Sequence, residues 1–133
     1  MIRAKICFAA VAVVRDAETN GISAFNILEG VVPVGMPFFM QQLAFFVLWE
    51  RDANDPQQPH GEFTVEIAGN RLATVQLNLD FQDKPRHRSI VNLNGLTVPQ
   101  PGQLRFSITL ETGARAEFTM DVEAPHAVPL VRQ

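Results

Sequence analysis

Cysteine occurs once, at Cys7. That excludes an internal disulfide and any zinc site built on two or four cysteines. Tyrosine is missing and tryptophan appears once, while phenylalanine appears ten times. Phenylalanine adds apolar area without a hydrogen-bonding handle, so these rings suit a core better than polar recognition. Charged residues are sparse, 19% against 47% hydrophobic, a balance too apolar for a chain disordered by composition. The net charge of −3 argues against a general nucleic-acid binder. No G-x-S-x-G, Walker A loop, G-x-G-x-x-G or H-E-x-x-H motif is present, so the common motif-readable enzyme classes find no support and no cofactor is implied. A chain of 133 residues suits one domain, since two would leave about 65 residues each, near the lower limit for unaided folding.

Two segments imitate membrane or export signals. Met1 to Lys5 is basic and leads into the apolar run Ile6 to Val14. The run passes straight into Arg15-Asp16-Ala17-Glu18 with no small-x-small cleavage site before the charges, so it reads as a strand. Gly30 to Trp49 carries no charge, over a length that could span a bilayer. Pro33, Gly35 and Pro37 break its first half and Gln41-Gln42 its middle, leaving Leu43 to Trp49, which is strand-sized. No membrane partner is expected, and the expected location is the cytoplasm.

Period-2 patterning is strongest near the C-terminus. Leu104, Phe106, Ile108 and Leu110 alternate with polar residues, and after Thr112-Gly113 so do Ala116, Phe118, Met120 and Val122. This predicts a hairpin with one apolar and one wet face. Phe63, Val65 and Ile67, then Val75, Leu77, Leu79 and Phe81, predict a second hairpin around Gly69-Asn70. From Ser89 to Val98 the apolar phase slips by one at Asn94-Gly95, as at a β-bulge. Ile6 to Val14, Ile22 to Val32 (broken near Glu29-Gly30) and Leu43 to Asp52 supply further strands, and Ala53 to Gly61 reads as a loop. Seven or eight short strands without an amphipathic helix predict an all-β, antiparallel sandwich or barrel. The domain is expected to span residues 1–123, with a Pro-containing tail over 124–133.

The order of these segments resembles a family of small, uncharacterised bacterial β-sandwich proteins of unknown function. The likeness runs from the first apolar strand through Arg15-Asp16-Ala17-Glu18-Thr19-Asn20-Gly21 and Ile22 to Gly30. It continues through the Pro-containing loop with Phe38 and Phe39, the strand ending in Trp49-Glu50-Arg51-Asp52, and Pro99-Gln100-Pro101-Gly102 before the last hairpin. The resemblance implies an immunoglobulin-like sandwich with no assigned activity, and it carries no site residues.

Among polar features the densest is Lys84-Pro85-Arg86-His87-Arg88, where Lys84, Arg86 and Arg88 form a candidate anion site. The competing reading is a solvated connector, with Asp80 and Asp83 close enough in sequence to neutralise it in part. His60, His87 and His126 show no paired metal-ligand spacing, and Asp52, Asn54 and Asp55 lack the remaining oxygens of a calcium loop. Cys7 sits within an apolar strand and reads as structural.

The strand Leu43 to Trp49 is apolar on both faces, with Leu43, Phe45, Val47 and Trp49 on one side and Ala44, Phe46 and Leu48 on the other. A sandwich normally leaves one face wet, so the second face needs a cover, from this chain or from another. Phe38, Phe39, Phe46 and Leu48 are therefore candidate interface residues. The leading expectation is a non-enzymatic protein-interaction or assembly module, partnered by itself as a homo-oligomer or by an unknown subunit. The alternative is an anion or small-ligand binding domain using residues 84–88. A third is an enzyme with an acid–base site assembled from His60, His87, Asp52 and Asp83.

Overall fold

The computed structural model describes residues 1–125, and all regular structure among them is β. The strands are β1 (Arg3–Arg15), β2 (Ile22–Ile27), β3 (Gly30–Val31), β4 (Phe38–Met40), β5 (Leu43–Glu50), β6 (His60–Ile67), β7 (Asn70–Asn78), β8 (Arg86–Leu93), β9 (Leu96–Val98), β10 (Gly102–Leu110) and β11 (Arg115–Val122). A four-stranded sheet runs β2-β1-β5-β8, a five-stranded sheet β3-β11-β10-β6-β7, and β4 and β9 form a short ribbon. Pairing is antiparallel except between β3 and β11. His126 and the rest of the expected tail, 126–133, lie outside the described residues. Among the described residues no helix is long and apolar enough to cross a membrane.

The period-2 faces meet as the patterning requires. Phe45 of β5 packs against Phe106 of β10 and Phe63 of β6, with ring centroids 5.9 and 5.5 Å apart, joining the two sheets across the core. Trp49 is fully buried, and its indole N–H donates to Ser89 Oγ at 3.1 Å, so the one tryptophan brings no unsatisfied donor into the core. The outer face of the five-stranded sheet is polar: the buried Thr64 and Ser107 share a hydrogen bond, and the more exposed Arg105 pairs with Glu117 at 2.7 Å.

Three expectations are corrected. Among the described residues there are eleven strands in place of seven or eight, because Gly30–Val31, Phe38–Met40 and Leu96–Val98 pair as short separate pieces. The phase slip at Asn94-Gly95 is a change of sheet and not a bulge: β8 pairs with β5 and β9 pairs with β4, with Gly95 at φ +110°. The strand expected to run to Phe81 ends at Asn78. Leu79 and Phe81 stay buried but donate their backbone N–H groups to Pro59 and Gln57 carbonyls.

The four-stranded sheet is apolar on its outer face, where Ile6 lies opposite Leu48 and Phe8 opposite Phe46. β1 pairs with β5 up to Ala10 and with β2 from Ala10 onward. In a flat sheet Ile22, opposite Arg15, would sit about 30 Å along the strand from Leu48, opposite Ile6. Instead Ile22 and Ala24 line one groove with Phe8, Phe46 and Leu48, and Arg88 of β8 donates to the Asn20 carbonyl in the hairpin turn at 2.6 Å. The β1–β2 hairpin is thus folded back over the outer face. Phe46, stacked on Phe8 with centroids 5.2 Å apart, is only 4% exposed.

Candidate functional site

The fold-back brings the hairpin turn to the basic segment. Asp16 organises that turn: its side chain accepts the N–H groups of Glu18 and Thr19, and its carbonyl accepts the Asn20 N–H. Asn20 sits at φ 59°, a conformation asparagine tolerates well. Its side-chain oxygen accepts from both Arg15 and Arg88 at 3.3 Å. The turn therefore places two guanidinium groups side by side.

The opposite wall comes from residues 79–88. Asp80 accepts the Gln82 N–H, and Gln82 and Asp83 both take left-handed φ values, 52° and 60°. Gln57 holds Asp83 from both sides, donating to its carboxylate and accepting its backbone N–H, each at 2.8 Å. Two successive non-glycine residues in this region mark a locally strained turn, held by its surroundings. Arg51, 9% exposed, reaches under it: Nε donates to the Lys84 carbonyl at 2.9 Å, Nη1 to the Asp55 carbonyl at 3.3 Å, and the guanidinium lies over the Phe81 ring.

Between these walls is an open cleft of about 720 Å³. Arg15, Lys84, Arg86 and Arg88 line it, with Leu48 and Phe81 as apolar surface and Asp80 as the one carboxylate among the described residues. Arg86 shares Glu50, at 3.3 Å. Among the described residues no carboxylate lies within ion-pairing distance of Arg15, Lys84 or Arg88. Converging cations that outnumber the carboxylates beside them leave donors available to a ligand anion. His87 also lines the cleft; burial, partly offset by its hydrogen bond to the Asp80 carbonyl, lowers its pKa, so its ring is neutral near pH 7.

The other sequence candidates are placed apart. His60 is hydrogen-bonded to Asn78, Asp83 to Gln57, and Asp52 to Arg3 and the Met1 amino group, so no histidine–carboxylate pair forms among His60, His87, Asp52 and Asp83. Among the described residues no three His, Cys, Asp or Glu side chains converge on a metal position. The Cys7 thiol donates to the Glu117 carbonyl at 3.3 Å, and burial pushes its pKa up, which keeps it a thiol. Of the interface candidates, Phe39 is 60% exposed, Phe38 and Leu48 are half-buried, and Phe46 is interior. Sequence reasoning found Lys84, Arg86 and Arg88 but missed Arg15 and Asn20, which lie 68 or more positions from Arg88 and join it only through the fold-back.

The chain belongs to a family of unknown function (DUF6941), whose model matches residues 7–123 and so takes in every cleft residue named above. No curated protein matches it.

Proposed function

We propose that the protein is a non-enzymatic, immunoglobulin-like domain of the cytoplasm that binds an anionic small ligand in the cleft between the β1–β2 turn and the 79–88 segment. The observation that carries this reading is the convergence of Arg15, Lys84 and Arg88 on one cleft, with no carboxylate among the described residues within ion-pairing distance of any of the three. Arginine forks favour phosphate or carboxylate groups, and Asn20 fixes two of them in place before a ligand arrives. The test is a thermal-shift series with pyrophosphate and citrate on the wild type and on Lys84→Gln/Arg86→Gln/Arg88→Gln. Stabilisation is expected in the wild type and is lost in the triple variant; equal behaviour of the two proteins would exclude the cleft.

A second reading, association with another copy, is favoured by apolar side chains left in water: Phe39, and Phe25 on the hairpin, which is 54% exposed. Sedimentation equilibrium tests it. A dimer that dissociates on Phe25→Ser/Phe39→Ser supports it, and a monomer at high concentration removes it.

A further inference from the structure

The basic cleft does not end at Leu48. The groove under the folded-back hairpin, about 340 Å³, shares Leu48 and Arg88 with it. Its walls are otherwise apolar: Phe8 and Phe46 on the sheet, Ile22, Ala24 and Ile27 on the hairpin, and Ile6 at its edge. Among the described residues Arg88 is the single charged one lining it, and it lines the cleft as well. Ile6 and Ile27 are each 51% exposed, so the groove presents apolar surface to water that no other part of the described chain covers.

We infer, on the basis of the anion-binding reading above, that the ligand is a single-chain anionic amphiphile, with its phosphate or carboxylate head among Arg15, Lys84 and Arg88 and its hydrocarbon tail in the groove beneath the hairpin. A fully hydrophilic anion would use only the cleft and leave the groove wet. A neutral hydrocarbon would leave the cations without a counter-charge. The joined pair of cavities, one basic and one apolar, matches a molecule with the same division. The groove holds the volume of roughly eleven water molecules, which suits one medium-length chain and not two.

The test is isothermal titration calorimetry with ethyl, butyl, hexyl and octyl phosphate, each below its micelle concentration, together with octanol. Affinity is expected to rise about two- to fourfold per added methylene until the groove is filled, and octanol is expected to bind far more weakly than octyl phosphate. Ala24→Trp, which fills the groove, should flatten the series to the ethyl phosphate value while the head group still binds. Ile22→Ser, a milder change, should reduce the gain per methylene, and unchanged melting temperatures would show that both variants fold. Arg88→Gln should weaken every phosphate. Binding of all the phosphates with equal affinity would overturn the amphiphile inference and leave the anion reading standing. No binding by any of them would overturn both. Octanol binding as tightly as octyl phosphate, or binding seen only with micelles or vesicles, would also overturn the inference.

Discussion

At the scale of single residues, Arg51 shows how a buried charge can serve a site it does not line. Its guanidinium is held by main-chain carbonyls of residues 84, 52 and 55 and by the Phe81 ring, so it ties the loop after β5 to the loop before β8. Arg51→Met is expected to cost about 2–3 kcal/mol in urea unfolding, since it removes charge-assisted hydrogen bonds and leaves buried carbonyls without a donor. It should also weaken pyrophosphate binding, by releasing the backbone that positions Lys84. Titration provides a second prediction. Asp16, Glu50, Asp52 and Asp55 are held below the usual carboxylate range, Asp16 chiefly by the Thr19 N–H, Glu50 by Arg3, Asp52 by the Met1 amino group, and Asp55 by the Asp52 N–H. The unfolded chain therefore protonates these groups first on acidification. Their stabilisation is complete above the ordinary carboxylate range near pH 4 and is lost as pH falls through the folded values. His87 acts in the same direction from its ordinary value of 6.5, because burial favours its neutral form in the native state. The urea midpoint should begin to fall below pH 6.5 and fall again below about pH 4. His87→Gln should lose the first step alone; a wild-type midpoint that is flat down to pH 5 would contradict the assignment.

Among the elements, the β1–β2 hairpin decides most. It covers the second apolar face of β5 and brings Arg15 and Asn20 to the cleft. Asn20→Ala removes the acceptor shared by Arg15 and Arg88 and places a less tolerant residue at positive φ. Amide exchange across residues 11–27 should accelerate in this variant, while β5, β6 and β10 keep their protection. Equal protection of the hairpin in both proteins would mean that the Asn20 latch does not hold it. The same hairpin marks where sequence reasoning stopped. β10 and β11 were legible as a hairpin from Leu104 onward, though not the start of β10 at Gly102, because apolar and polar residues alternate, a pattern that suits a strand. Leu43 to Trp49 was legible as a strand needing two covers, yet the alternation is silent about which segment supplies the second. Nothing local to Ile22 or Asn20 announces a fold-back, because a change in direction near Ala10 is set by packing at long range. The slip at Asn94-Gly95 was visible, but a one-residue phase change looks the same for a bulge as for a strand crossing between sheets.

Viewed as a whole, the molecule divides its chemistry by layer. The five-stranded sheet turns a polar, ion-paired face to solvent. The space between the sheets is filled by aromatic and aliphatic side chains. The four-stranded sheet turns its outer, apolar face toward the folded-back hairpin. Lys84, Arg86 and Arg88 were readable as a cluster from their spacing, but a charge run alone does not distinguish a solvated connector from a site. What favours a site is Arg15 arriving from the other end of the chain and Asp83 being held by Gln57, while Glu50 engages Arg86 but leaves Arg15, Lys84 and Arg88 facing only Asp80 across the cleft. The central claim is that this cleft is where an anion binds. The most direct measurement is an amide and side-chain NMR titration of the isotope-labelled protein with pyrophosphate. The account predicts saturable shifts concentrated at Arg15, Asn20 and residues 82–88, with the polar face of the five-stranded sheet unmoved. Saturable shifts centred on that face, or no saturable shift at all, would contradict it.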